Sequence, residues 1–288
     1  MQIIDNQREF DKLYRDLAQE SILFMDTEFF RRRTYYARLS LIQIATRNKK
    51  IIVDVLAGIN VSAVKDLLLN EKICKVFHAP EQDFSLFYHL FGILPKNIFD
   101  TQIAAGVIGL DEVMGYDRLC KSLLNINIDK SMQNANWLER PLHQELLEYA
   151  IKDVEYLIPL HRELFKEIND RNLWDTYRTR SRKLFDPESY KINTEKIIKK
   201  VGLQDRSESF KENFRHLLML REDCAQTLNI PRSYCATDYQ LIKLSEELPV
   251  NINHLVKINM DQLPIAKKKF TNKLFELCLG LREQLNTE

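Results

Sequence analysis

The sequence predicts an α/β domain built on a mixed sheet, followed by a small all-helical domain. Short apolar, β-prone runs alternate with amphipathic stretches as far as about Asp100, and helical periodicity takes over after it. The stretch from Arg178 to Lys200 then shifts in composition, with eight Lys or Arg against three Asp or Glu and Pro187 in its middle. At 288 residues the chain has the length of about two domains. The expected division is a first domain over residues 1–190, a linker over 191–205 and a helical domain over 206–288.

The runs SILFMDTEF, ARLSLIQIA and KKIIVDVL follow one another with brief separations and read as neighbouring, antiparallel strands. VSAVKDLLL reads as a short amphipathic helix and ICKVFHA as a buried strand. PEQDFSLFYHLF opens with Pro80, suited to a first turn, and carries Phe84, Phe87, Tyr88 and Phe91 at helical spacing. Helical connections between later strands make those strands parallel, so the sheet is mixed. A long helical segment runs from about Leu142 to Ile168, with Leu146, Leu147, Ala150, Val154, Leu157 and Ile158 on one side and Pro159 kinking it. From about Arg206 the pattern is helical throughout, with loops at Asn229-Ile230-Pro231 and Leu248-Pro249, enough for a bundle of about five helices.

Composition narrows the function classes. Forty-two Lys and Arg against 41 Asp and Glu leave a net charge of +1, which excludes a strongly basic packaging protein but not an enzyme with a local basic surface. The first ten residues, MQIIDNQREF, lack the basic and apolar regions of a signal peptide, and no stretch approaches a membrane span. A cytoplasmic protein without membrane contact is expected. Five scattered cysteines with no C-x-x-C pair argue against a disulfide framework or zinc knuckle and for small core residues.

Several carboxylates stand where apolar residues are expected. Asp26 and Glu28, two apart in a strand, share the face of Ile22 and Phe24. Two adjacent anions at the end of a buried strand repel each other, and a divalent cation relieves the repulsion; alternatively the strand has ended and both are solvated. Asp83 falls in the first turn of its helix, where the dipole favours an anion, yet it shares the stripe of Phe87, Leu90 and Phe91. Tyr149 and Asp153 are four apart on one helix side, with Asp153 in the row of Leu146, Ala150 and Leu157; pairing with a Lys or Arg is the structural alternative. Together, four acids and no zinc-type ligands suit hard cations, Mg²⁺ or Mn²⁺, and paired ions of this kind act on phosphodiesters.

D-T-E-F at 26–29, H-A-P-E-Q-D at 78–83 and Y-A-I-K-D at 149–153 resemble the three exonuclease motifs of the DEDD superfamily, in its tyrosine subclass. FMDTEFFRRRTYYARLSLIQIA is similar to the first motif region of the ribonuclease D family, and the match runs in order from about Ile22 to Leu164. FRHLLMLREDCAQTLNIPRSYCATDYQLIKLSEELPVNINHL resembles the helicase-and-RNase-D C-terminal (HRDC) domain, a helical nucleic-acid-binding module. Fuller members of that family carry two such modules, and this chain has room for one. The resemblance implies a ribonuclease-H-like sheet and a 3′–5′ exoribonuclease. It implies that Asp26, Glu28, Asp83 and Asp153 hold two divalent cations, with Asp26 bridging them, and that Tyr149 orients the attacking water. Nucleoside 5′-monophosphates leave from a single-stranded RNA 3′ end, with precursor tRNA the implied substrate.

Arg31, Arg32 and Arg33, followed by Thr34, Tyr35 and Tyr36, come directly after the Asp26 and Glu28 strand, as guanidiniums for phosphates and rings for bases. A solvated hairpin loop is the alternative. Phe29 is placed to stack on the terminal base or to pack in the core. Gln43, polar in an apolar strand, and His78, at the end of the strand before the Asp83 helix, are further contacts to test against structural roles. Lys267, Lys268 and Lys269 form either a solvated face or an RNA patch. A 3′–5′ DNA exonuclease uses the same acids, and a non-catalytic RNA-binding adaptor is the alternative of a different class. Nothing in the pattern calls for an obligate protein partner, so a monomer is expected.

Overall fold

Strands β1 (Gln2–Ile4), β2 (Ile22–Phe30), β3 (Arg38–Ala45), β4 (Lys50–Asp54), β5 (Cys74–Phe77) and β6 (Ile98–Asp100) form one six-stranded sheet in the order β1-β4-β3-β2-β5-β6. The pairings β2–β3 and β3–β4 are antiparallel, while β1–β4, β2–β5 and β5–β6 are parallel. The sheet is therefore mixed, as the sequence predicts. This computed structural model describes residues 1–132, 135–267 and 269–285. It divides into two compact units, one of Met1–Phe30 with Arg38–Lys191, the other of Arg31–Ala37 with Ile192–Glu288.

In the first unit the helices are α1 (Gln7–Leu17), α2 (Val64–Leu69), α3 (Glu81–Phe91), α4 (Thr101–Val107), α5 (Tyr116–Leu124), α6 (Gln144–Glu155), α7 (Leu157–Asp170) and α8 (Trp174–Ser181). The central strands are buried on both sides, Leu41, Ile42, Ile44, Ile51, Ile52 and Val53 being fully enclosed, so they read as continuous apolar runs. Phe24, Leu41, Ala45, Ile52, Val76 and Phe99 present one sheet face to Leu147, Ala150 and Val154 of α6 and Leu160 and Leu164 of α7. The segment expected as one kinked helix is two, α6 and α7, meeting at Tyr156. Pro159 has no N–H for the carbonyl of Glu155, four residues back, which accounts for the break there.

The second unit contains α9 (Thr194–Lys200), α10 (Glu208–Leu228), α11 (Arg232–Cys235), α12 (Asp238–Glu247), α13 (Ile252–Lys257) and α14 (Lys269–Leu285). Phe214, Leu217 and Leu218 of α10 pack with Leu241 and Leu244 of α12 and Leu274 of α14. The expected linker over 191–205 is corrected here: α9 lies within it, and Ile198 and Leu203 are buried in this core, because apolar side chains at those positions gain more by packing than by solvation. The second unit also holds a buried polar chain. Arg221 donates to Asp238 at 2.6 Å and to the Ala236 carbonyl at 3.2 Å. Glu222 accepts from the Tyr35 hydroxyl at 2.9 Å and pairs with Arg232 at 3.2 Å, and Gln226 donates to the same hydroxyl at 3.1 Å. The Arg232 guanidinium lies over the Tyr35 ring, 5.5 Å from its centre.

All five cysteines are free, and Cys120, Cys224, Cys235 and Cys278 are buried. No described helix is long and apolar enough to cross a membrane. Lys268 lies outside the described residues.

The segment between α5 and α6 is fastened to the sheet by Arg140. Its Nε and Nη2 each donate to Asp54 at 2.7 Å, Nη1 donates to the Trp137 carbonyl at 2.8 Å, and Nη2 reaches Ser40 at 3.0 Å. Asp54 is buried, so losing its partner strands a charge. Arg140→Ala should destabilise the first unit by about 2–4 kcal/mol, the cost of breaking a largely buried pair. Urea denaturation checks this; a loss below about 1 kcal/mol, the range of a surface pair, would show that the clamp is a solvated contact.

Candidate active site

The pairing register puts acids at the carboxyl end of β2. Phe24 is opposite Val76 of β5, and β5 ends at Phe77, one residue later. Asp26 and Glu28 thus extend past the end of β5, next to the turn leading into α3. That turn is specific: Ala79 is left-handed with φ 51°, and its N–H donates to Asp100 at 3.0 Å. Asp100 also caps α4 by accepting from the Gln102 N–H at 2.8 Å. One carboxylate therefore fixes both the entry to α3 and the start of α4, and Asp83 enters the site in the first turn of α3.

Asp26, Glu28 and Asp153 each offer a carboxylate oxygen, and these oxygens lie within 4.8 Å of one another. Asp26 and Glu28 come from one face of β2, Asp153 from the α6 face that packs on it. Asp83 is not within this group. It is buried and accepts a short hydrogen bond from the Thr27 hydroxyl, on the opposite face of β2. The structure thus gathers three of the four sequence-predicted acids and ties the fourth to the residue between two of them.

The electrostatics follow. Burial first, then the charges of Asp83, Asp153 and Glu28, hold the Asp26 carboxyl well above the usual range. Burial and the charges of Asp153 and Asp83 push Glu28 to about 9. Burial pushes Asp153 to about 7 and Asp83 to about 6. Oxygen-only ligands that raise one another's pKa values form a site for a hard cation, which reverses the penalty for ionising them. Tyr149 is half-buried beside Trp137, ring centres 6.1 Å apart, and its hydroxyl is held above the ordinary phenol value by burial and by Asp153, Glu28 and Asp26. It is therefore a proton donor, not an anion, at neutral pH.

Two sequence expectations are corrected. Gln43 lies directly opposite Asp26 in the β2–β3 pairing and is 0% exposed, so it cannot touch a strand of RNA. Among the described residues, neither of its amide atoms has a hydrogen-bond partner. His78 hydrogen-bonds Thr101 through Nδ1 at 2.9 Å, packs edge-on against Tyr116 and buries Nε2, and burial lowers its pKa to about 4. It is a frame residue. Phe29 is half-buried, and Arg31, Arg32 and Arg33 are exposed, with Arg33 left-handed at φ 60°. Tyr36 is half-buried, and its N–H donates to Asn229 at 3.2 Å.

Two residues near the acids escaped the sequence reading. Thr27 carried a signal: in D-T-E it is the polar residue on the buried opposite face of β2. Tyr116 carried none. Its hydroxyl donates to the Lys152 carbonyl at 2.9 Å and feels the charges of Asp153 and Asp26, a proximity made only by tertiary packing of α5 against α6.

Two measurements follow from this geometry. Glu28 and Asp153 keep protons that the unfolded chain releases at ordinary carboxylate pKa values, so the folded state binds more protons and stability falls as pH rises toward about 9. Below pH 6.5 the lowered pKa values of His78 and His161 act in the opposite sense, and so does Lys75, whose pKa burial lowers to about 8, once the pH passes that value, so the informative window is pH 7 to 8. In chelator, Tm should drop across that window, and Asp26→Asn should shrink the drop; a flat Tm would contradict the repulsion. Separately, Gln43→Leu removes an orphaned buried amide and should stabilise the chelated protein by about 1–3 kcal/mol. A destabilised variant would mean that the amide is satisfied in solution.

Known proteins match both parts of the chain. A family model described as 3′-5′ exonuclease matches residues 1–169, and one described as HRDC domain matches residues 210–276. A relative named ribonuclease D from Gluconacetobacter diazotrophicus is 32% identical, with the match covering 97% of this chain and 72% of the relative. Another from Zymomonas mobilis is 36% identical over 84% of this chain, which spans 63% of that relative. Among solved structures, Escherichia coli RNase D, described as an exoribonuclease involved in structured RNA processing, superposes with a TM-score of 0.83 at 24% identity, covering 97% of this chain and 74% of that one. Brucella melitensis NrnC with bound Mg²⁺ superposes with a TM-score of 0.52 at 26% identity over 59% of this chain and 84% of its own. A fold of this kind, three clustered carboxylates on its central strand and adjoining helix, and matches along nearly the whole length place the chain in the ribonuclease D family of 3′–5′ exoribonucleases, with an exonuclease domain followed by an HRDC domain.

Proposed function

We propose that this chain trims single-stranded 3′ ends of RNA, precursor tRNA among them, in a reaction that depends on divalent cations and releases nucleoside 5′-monophosphates. The observation that carries the reading is the gathering of Asp26, Glu28 and Asp153, three carboxylates whose mutual repulsion a cation removes. Asp26, Glu28 and Asp153 would hold Mg²⁺ or Mn²⁺, with Asp83 completing the set for a second ion. Bound ions of this kind supply Lewis acidity and offset charge that develops on the phosphate oxygens.

The chain's own residues do the rest. Tyr149 keeps its proton and offers a hydrogen bond that orients the attacking water. The water oxygen bonds to the terminal phosphorus, the bond to the 3′ oxygen breaks, and the shortened strand takes a proton on that oxygen. Thr27 holds Asp83 in place through its hydroxyl. Gln43 lies across from Asp26 with a free amide, which fits a donor that steadies the Asp26 carboxylate once it is ionised. Arg31, Arg32 and Arg33 contact phosphates and Tyr36 and Phe29 contact bases in this reading, and the HRDC domain adds affinity for structured RNA. The protein acts as a cytoplasmic monomer.

The test is a 5′-labelled single-stranded RNA and the matching DNA, each incubated with Mg²⁺, Mn²⁺ or chelator. A ladder shortening from the 3′ end on RNA alone, abolished by chelator, is expected; equal cleavage of DNA would make the chain a general exonuclease. In single-turnover cleavage at saturating metal, Tyr149→Phe should lower the rate about 10²-fold, the lower end for a group that orients a proton-bearing reactant. Asp26→Asn should cost more, because it weakens cation binding and charge compensation together. Near wild-type activity in Asp26→Asn would remove it from the reaction.

A further inference from the structure

A cavity of about 750 Å³ opens at the end of β2 away from the carboxylates. Its floor includes Ile22 and Phe24 of β2, four and two residues before Asp26. At 3.3 Å per residue, Ile22 stands about 13 Å along the strand from Asp26. The volume is that of a small-molecule site.

The cavity combines three chemistries. One wall is aromatic: His161 and Phe165 of α7 have ring centres 5.5 Å apart, tilted by 39°. Phe165 is 45% exposed, a large ring kept at an open surface. Its edge is braced by Trp174 at 5.0 Å, so the ring is held in place before any ligand arrives. Burial, and secondly the charge of Arg47, lower the pKa of His161 to about 4, so its ring is neutral and can stack. The rim is cationic. Arg47, Arg162 and Lys166 all line the cavity. Arg162 pairs with Glu163, but among the described residues no carboxylate lies within ion-pair distance of Arg47 or Lys166. Asn169 and Asp170 line the same cavity and offer an amide and a carboxylate for the edge of a ring.

A flat ring carrying a phosphate satisfies all three features. A bare anion leaves the aromatic wall unused, and an acyl chain leaves Asn169 and Asp170 unpaired. We propose that this cavity binds a nucleoside 5′-phosphate, stacked on Phe165 and His161 with its phosphate on Arg47 and Lys166. The ligand is either a free mononucleotide or one nucleotide within an RNA strand, and the same contacts serve both. The site is separate from the carboxylate cluster, so its occupancy does not depend on the reaction proposed above.

The test uses the full chain in chelator, where no cleavage occurs, and reads tryptophan emission, which comes from Trp174 packed on Phe165 and from Trp137 beside Tyr149, the variants below assigning the change to the Trp174 site. AMP should change the emission in a saturable way, adenosine should bind more weakly, and inorganic phosphate should compete poorly. The exposed double variant Arg47→Glu/Lys166→Glu should weaken AMP by about tenfold or more, a difference of about 1.4 kcal/mol. It should keep its fold by circular dichroism and the wild-type rate on a four-nucleotide RNA with metal. A twelve-nucleotide RNA separates the sources. If the double variant also loses affinity for it, and AMP competes, the occupant is part of the strand; if only AMP binding is lost, it is a free nucleotide. Phe165→Leu, which keeps an apolar side chain, should lose AMP while retaining stability. The proposal is overturned if AMP leaves the emission unchanged, if the variants bind AMP as the parent does, or if inorganic phosphate competes as well as AMP.

Discussion

The arrangement turns on the repulsion among Asp26, Glu28 and Asp153. Like charges within 4.8 Å of one another in a half-buried site cannot all ionise freely without a counter-charge. The fold tolerates them because the elements that carry them are fixed by other forces. β2 lies inside the sheet with β3 on one side and β5 on the other. α6 is pinned by Leu147, Ala150 and Val154 against the sheet face. The apolar core on either side thus holds in place a group of side chains that would otherwise move apart, and the strain becomes affinity for a cation.

The supporting residues stand outside the carboxylate cluster itself. Asp100 sets the turn that aims α3, Thr27 receives Asp83, and Tyr116 ties α5 to the backbone of α6. Thr27 and Tyr116 each act through one hydrogen bond, and Asp100 through two, from Ala79 and Gln102. Together they decide where the acids sit, while the acids decide what the site can bind.

Much of this was legible in the sequence. The mixed sheet and four of its strands, β2 to β5, were readable because buried central strands are continuous apolar runs and parallel neighbours need a helical connection, while the short edge strands β1 and β6 were not. Asp26, Glu28 and Asp153 were readable because period-two and period-four spacing put them on faces otherwise apolar. Gln43 and His78 misled for one reason: a polar residue in an apolar run shows that a position is unusual, not which partner it meets. His78 meets Thr101, far away in sequence, and Gln43 meets none of the described groups. Tyr116 and Asp100 were hidden because their roles exist only after tertiary packing. Ile198 was hidden inside a basic stretch whose charge outweighed its apolar residues in a composition count, and Leu203 lies just past its end.

The seven residues Arg31–Ala37 belong to the second unit, although they lie between two strands of the first. Tyr35 is their anchor, its hydroxyl shared by Glu222 and Gln226. The second unit is therefore discontinuous in sequence, and no single cut separates the two. A fragment starting at Ile192 keeps Glu222 and Arg232 but lacks the phenol that completes their polar chain. A fragment ending at Lys191 keeps the phenol and loses its partners. The reading frame joins in one polypeptide what a boundary drawn on the sequence would divide, so a gene fusion or a deletion that treats residue 191 as a seam inherits two incomplete pieces.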